Sequence, residues 1–447
     1  MGGVFSVSLG FGSWVVLPIA IGLAALVHPG ARTKWLKAPL FVAAGLTGGY
    51  VMVAWLIHVV LPPLARSGIW LFHSHAAALD IGWPSSAIIA FGTLAGVLSF
   101  PVGLLTNAAL VFARLTRTLD LDLWNFWHIA FVGVFATVAT GDIVKGLIAE
   151  AGAMAVVLML ADISQPTVKK YFGYENLSFP TLVSLPYFVL AVGLKHLFRK
   201  TGFLSSQPLG LEKLIRERGQ AFSPGNFVVI GFAVTVAIGL LAHLGVKSSL
   251  FIGVVGATTI LILPRIVSLV VEGIQPVAEA MAQAAQAQVA QRHLHIGMDT
   301  ALLVGDPVNM LASTVLVPVT LALALVLPGN HTVPLLDLPT IPFIIALMVP
   351  VFEGNLCFTI IGGIAAMVPT LYISTCMAPL FGSATRLAGW HVAYGGAMVT
   401  SLVDAGNPIV WAFSGMAQLG MVQFVGAIAA VLVLLSLIRG KVVAGVR

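Results

Sequence analysis

"LPGNHTVPLLDL", residues 327–338, interrupts a chain that is otherwise almost all apolar. One long apolar run, 302–327, ends on it, and another begins at 339. Gly329, Asn330, His331 and Asp337 stand there, framed by Pro328 and Pro334. Polar groups and broken backbone are costly in lipid, and membranes tolerate them only where they are buried in protein or line a wet cavity. The stretch therefore decides between a plain bundle of crossing helices and a fold with broken, half-inserted segments around a site.

The rest of the chain sets the class. Its 447 residues are 59% hydrophobic and 9% charged, with a mean hydropathy of +1.03; soluble proteins carry about 25% charged residues. Apolar segments fall near 14–28, 38–61, 86–113, 123–140, 143–161, 181–198, 225–243, 248–271, 302–327, 339–352, 355–378, 391–413 and 418–438. Several exceed the roughly 20 residues that a bilayer requires. This is a polytopic, all-α membrane protein. The N-terminus lacks the basic region of a cleavable signal. Cys357 and Cys376 lie in apolar runs and read as packing residues. No P-loop, no helix-opening GxGxxG and no metal-ligand spacing occurs, so no cofactor, metal or nucleic acid is expected.

Basic residues orient the chain. Arg32, Lys34 and Lys37, then Lys195, Arg199, Lys200, Lys213, Arg216 and Arg218, then Arg439, Lys441 and Arg447 form three clusters. The positive-inside rule puts all three in the cytoplasm, with the N-terminus outside and an odd number of crossings.

The halves echo each other. "LDIGWPSS" (79–86) returns as "LHIGMDTA" (294–301), and "LDL" at 121–123 returns at 336–338, both at one common offset along the chain. "GD" at 141–142 matches "GN" at 354–355, and Pro63 matches Pro276, at a second offset almost equal to the first. The order suggests a duplicated, inverted unit inside a single membrane-embedded domain: repeat one about 1–200, repeat two about 220–413, and a final helix at 418–438. Two units of five crossings and the last helix make about eleven. One segment per half is then re-entrant; 181–198 and 391–413, broken by Pro180, Pro186, Gly395, Gly406 and Pro408, fit better than 123–140 and 339–352. The Ala/Gln-rich stretch 275–292 reads as a surface arm or a connecting helix.

Ionisable residues inside apolar segments are candidates for function. They are His128, Asp142, Lys145, Asp299, Asp306, Asp337, Glu353 and Asp404, with the amides Asn125, Asn309, Asn330, Asn355 and Asn407. Amides and carboxylates beside Trp83, Trp124, Trp127 and Trp411 suit a small polyhydroxylated ligand, whose hydroxyls need donors and acceptors and whose C–H face suits an aromatic ring. Plainer roles compete. Asp122 and Asp337 serve equally well as helix N-caps, Asp306-Pro307 can cap a helix, and Lys145 stands one turn from Asp142, where it can pair with it. Asp299 follows a glycine break with no charge partner nearby in sequence.

"IGWPSS" (81–86), "DLWNFWHIAFVG" (122–133), "IGMDTALLVG" (296–305), "LPGNHTVPLLDL" with "EGNL" (353–356), and "VDAGNPIVW" (403–411) occur in that order. Together they resemble enzyme IIC, the membrane component of the galactitol branch of the bacterial phosphoenolpyruvate-dependent phosphotransferase system, over nearly the whole chain. The resemblance implies a homodimeric, elevator-type permease of the bacterial inner membrane. It would carry a sugar or polyol inward to enzyme IIB, itself charged through IIA, which phosphorylates the substrate from a phosphocysteine. The chain would then be a non-catalytic subunit of that complex. The family's substrate site involves the tips at Gly82–Ser86, hence Gly82, Trp83 and Ser85, and at Gly297–Asp299; His128 falls at a matching position. Departures fall in the same region. Thr181 replaces a typical histidine, and Glu353 and Phe358 stand near Asn355 where basic residues are usual; Asp306-Pro307 also differs. With Asp337, these make the expected substrate-binding set Asp299, His128, Gly82, Trp83, Ser85, Thr181, Glu353, Asn355 and Asp337. The competing reading is an ion-coupled transporter of a small polar solute, in which Asp299 or Glu353 exchanges protons.

Overall fold

The computed structural model describes residues 18–19, 21–23, 25–26, 32–55, 77–120, 122–200, 225–241, 243–288, 294–390 and 398–444. Pro63, Lys213, Arg216, Arg218, Gly395 and Arg447, invoked above, lie outside them, as do parts of the segments at 14–28, 38–61, 275–292 and 391–413.

The first half contains α1 (Lys37–Trp55), β1 (Ala78–Asp80), α2 (Trp83–Phe91), α3 (Leu94–Phe112), β2 (Thr118–Asp120), α4 (Phe126–Thr140), α5 (Ile143–Phe172), β3 (Leu177–Ser178) and α6 (Leu185–Lys200). After α7 (Gly225–Leu241) and α8 (Val246–Gln288), the second half contains β4 (His295–Gly297), α9 (Ala301–Val304), α10 (Pro307–Val326) and β5 (Thr332–Val333). It continues through α11 (Ile341–Ile345), α12 (Met348–Val351), α13 (Leu356–Leu387), β6 (Met398–Thr400), α14 (Pro408–Ala417) and α15 (Met421–Ala444). Among the described residues, α3, α5, α10, α13 and α15 are long and apolar enough to cross a membrane. α4, the first part of α8, the 338–351 stretch and α14 are shorter apolar pieces. The architecture is helical and multi-pass.

Several boundaries moved. The run at 86–113 splits at Gly92-Thr93, where Thr93 caps α3 by accepting the N–H of Gly96. The run at 339–352 breaks into two single turns. The Ala/Gln-rich stretch, up to Gln288, continues α8 as one unbroken helix of 43 residues. At a rise of about 1.5 Å per residue, that helix outruns a hydrocarbon layer roughly 30 Å thick. Cys357 and Cys376 are exposed along α13 instead of packed.

Two three-stranded parallel sheets, which hydropathy does not predict, sit at the breaks. One has the order β5-β1-β6, pairing Ala78 with Thr332 and with Met398. The other has the order β2-β4-β3, pairing Leu119 with Ile296 and Ser178 with Gly297. Each sheet takes its middle strand from one half of the chain and both outer strands from the other.

The polar residues of 327–338 repair the cost of broken backbone. Gly329, at φ 76°, turns the chain after α10. Asn330 then donates to the carbonyls of Ala324 and Thr332 and accepts from the Thr375 hydroxyl, so the break is satisfied internally before β5 begins.

α4 is apolar all round and buried from Phe126 to Ala136, as a helix without a polar face must be. It packs against α3, α5, α13 and α14 and fixes the position of the residues at its start. Lys145, at the start of α5, donates to the carbonyls of Ala417 and Leu419 instead of pairing with Asp142, which caps α5 at Val144 N–H. Near the other end of α5, Asp162 meets Arg439 of α15 at 2.6 Å, so these helices run parallel. Lys170, at the end of α5, stands 3.6 Å from Glu353, just before α13, so α13 starts where α5 finishes.

Candidate functional site

The site is built from the turns that end β1 and β4. After β1, Gly82 adopts φ 79°, a conformation open to glycine, and a Cβ there would stand 2.8 Å from that of Leu336. The N–H of Trp83, starting α2, donates to Asp337 Oδ1 at 2.6 Å. Asp337 Oδ2 accepts from the Ser401 hydroxyl at 2.7 Å and the Val403 N–H at 3.1 Å. Asp80 in turn accepts from the N–H groups of Gly82, Leu335 and Asp337. At the second tip, the N–H of Asp299 donates to Asp122 Oδ2 at 2.9 Å, and Asp299 Oδ1 caps Ala301 N–H at 2.7 Å. Thr181 accepts from Thr300 N–H; its hydroxyl lies 3.0 Å from Asn125 Oδ1 and 3.4 Å from Asp299 Oδ2. Each tip is thus capped by the "LDL" aspartate of the opposite half.

Aromatic rings and a histidine join the tips. Trp83 meets Trp127 edge-on at 4.8 Å and Trp124 at 5.9 Å, and Trp127 lies over His128 at 3.8 Å between ring centres. His128 Nδ1 is 2.8 Å from Asp404 Oδ1. Asp404 is fully buried, and its second oxygen and its N–H both engage the Ser401 hydroxyl. Ser401 therefore connects Asp337, which holds the first tip, to the partner of His128. The arrangement offers what a polyol needs: indole faces for C–H groups, an imidazole, and carboxylates beside half-inserted backbone.

Gly82, Trp83, His128, Thr181, Asp299 and Asp337 are thus brought into neighbouring parts of one network. Ser85 is buried in the first turn of α2, its hydroxyl without a partner among the described residues. Glu353 and Asn355 stand elsewhere. Asn355 caps α13 by accepting Phe358 N–H, and Glu353 is exposed at the end of α5, 3.0 Å from Lys195. The Lys195 ammonium bonded to Glu353, assisted by Lys170, holds that carboxyl below the usual carboxylate range. The Lys195 contribution is present above the unfolded carboxylate range and lost as pH falls through the depressed folded value. Because Glu353 is exposed, Glu353→Gln should cost at most about 1 kcal/mol in unfolding experiments and leave polyol affinity within about twofold. A tenfold affinity loss would tie Glu353 to the substrate. Asp306 caps α10 through Val308 and Asn309 N–H. Asp80 and Ser401 were missed: Asp80 stands outside the long apolar runs, and Ser401, though inside 391–413, is not ionisable; Asp404 did stand out, but without its partner.

Comparison with known proteins agrees with this architecture. The family described as "PTS system sugar-specific permease component" matches residues 9–395. The chain is 30% identical over 431 residues to a "Putative permease IIC component" of Escherichia coli (strain K12), covering 95% of this chain and 96% of that one. It is likewise 30% identical over 403 residues to the "PTS system galactitol-specific EIIC component" of the same organism, covering 90% of this chain and 88% of that one. The E. coli O157:H7 counterpart aligns equally well. With residues 9–395 matched and relatives aligned almost end to end, the chain belongs to the sugar-specific permease (EIIC) family of the phosphotransferase system.

Proposed function

We propose that this chain carries a polyol of the galactitol kind inward across the bacterial inner membrane and presents it to IIB for phosphorylation. The observation that carries the reading is the network joining the two tips to His128, built from acceptors and indole faces. Similarity to a galactitol-specific EIIC component supports the substrate class. Thr181, standing where the family pattern has histidine, makes the choice among polyols the open specificity question. In this reading Asp299, His128, Gly82, Trp83, Ser85 and Thr181 touch or shape the substrate directly, whereas Asp337 acts by holding a tip.

The same reading takes the chain as a homodimer of one domain with about eleven crossings, N-terminus outside and C-terminus inside, moving substrate by an elevator-like displacement. Support for an inverted repeat comes from the interleaved sheets and from α5 and α13. Their caps, Asp142 and Asn355, are the residues that the echo of "GD" in "GN" pairs, and α13 starts beside the end of α5.

Vesicles containing the chain, phosphoenolpyruvate, and the galactitol IIA and IIB proteins with the general energy-coupling proteins should accumulate phosphorylated galactitol, unaffected by an uncoupler. Recovery of unmodified galactitol, abolished by the uncoupler, would move the assignment to the ion-coupled reading. A cysteine at Ala444 should resist impermeant thiol reagents applied outside cells, as the basic clusters require.

A further inference from the structure

We propose that Asp404 positions His128 to take the proton of the polyol hydroxyl as that hydroxyl is phosphorylated. The inference rests on the permease reading above and adds a chemical task for two residues inside this chain.

The geometry is that of an oriented base. Asp404 Oδ1 lies 2.8 Å from His128 Nδ1. Asp404 is itself immobilised by the Ser401 hydroxyl on its other oxygen and by the bond from its own N–H to that hydroxyl. The Asp404 oxygen at that distance is an acceptor for a proton on Nδ1, and that tautomer leaves the Nε2 lone pair free. Nε2 has no hydrogen-bond partner among the described residues. The Trp127 ring over the imidazole blocks one face and holds its tilt. After proton uptake at Nε2, the Nδ1–H still faces the Asp404 oxygen at 2.8 Å, so the ring keeps its orientation through the step.

The step balances. The polyol oxygen attacks the phosphorus of the phosphocysteine on IIB, an O–P bond forms and the S–P bond breaks. The thiolate leaves with the electron pair, and the hydroxyl proton passes to His128 Nε2. No oxidant or further co-reactant enters. A purely structural His–Asp pair would hold α4 to the turn before α14 and do nothing else. The two roles differ in what they do to rate and to binding.

The test uses the full chain in membrane vesicles, phosphorylated galactitol IIB, and galactitol as the probe, with binding and phosphorylation measured on one preparation. Asp404→Asn offers an amide donor to Nδ1, which drives the ring proton to Nε2 and removes the acceptor. Phosphorylation should slow by about a hundredfold or more while galactitol affinity stays within about threefold. His128→Gln, which also removes a substrate contact, should slow phosphorylation at least as much, and the double variant should be no slower than His128→Gln alone. A folded Asp404→Asn protein that phosphorylates within threefold of wild type overturns the proposal, as does a loss of rate and affinity in equal proportion. If Asp404→Asn does not fold, His128→Gln carries the same two readouts, and a retained rate there overturns it. Wild-type protein that binds no galactitol would instead overturn the substrate reading, and this step with it.

Discussion

Replacing Asp337 by alanine should destabilise the protein more than any other single change in the site, by about 3–5 kcal/mol. Its carboxylate receives Trp83 N–H at 2.6 Å, the Ser401 hydroxyl at 2.7 Å and Val403 N–H at 3.1 Å, all in fully or partly buried positions. Alanine leaves these donors facing an apolar methyl. An orphaned buried donor costs about 1–3 kcal/mol, and more than one is orphaned here. Asparagine is only a partial remedy, because its amide NH2 must face a donor on one side. The loss should appear as a lower midpoint in denaturant unfolding of the purified protein, with galactitol uptake falling in step because the Gly82–Trp83 tip loses its anchor. An Asp337→Ala variant that unfolds like wild type but binds galactitol poorly would make Asp337 a substrate ligand.

Asp299→Asn should behave in the opposite way. Asparagine keeps the side-chain oxygen that caps Ala301 N–H, and the N–H of residue 299 still reaches Asp122, so the second tip keeps its shape. The Thr181 hydroxyl retains its 3.0 Å bond to Asn125. What disappears is the charge, together with one acceptor that becomes a donor. For a substrate whose hydroxyls donate to that carboxylate, the loss is about 1.5–3 kcal/mol, or roughly ten- to a hundredfold in affinity. Unfolding should remain near wild type. Galactitol titration and an unfolding curve on the same preparation decide between ligand contact and cap: intact affinity in a destabilised protein would assign Asp299 to structure alone.

Much of the site's outline was legible beforehand, and the residues show why. Gly82 and Gly297 stood at apolar breaks, and such breaks are where glycine is needed. Trp83, His128, Asp299 and Asp404 stood out because indoles and ionisable groups at membrane depth demand a reason. Lys145 illustrates the limit. One helical turn from Asp142, it looked paired along its own helix; in the fold it satisfies carbonyls at the end of α14, 272 and 274 residues away. The two small sheets were also beyond reach, since strands of two or three residues show no period.

Hydropathy and punctuation determined the class of this protein, the places of most of its long helices and its breaks. Each of those is a property of one segment meeting its solvent, so the residues of that segment are enough to reveal it. Only the tertiary structure decided that Asp337 caps the Trp83 tip from 254 residues away, that Asp122 caps the Asp299 tip across 177, and that Asp404 meets His128 across 276. A buried carboxylate must find donors to offset its desolvation, but which donors depends on two segments and on how the chain folds between them.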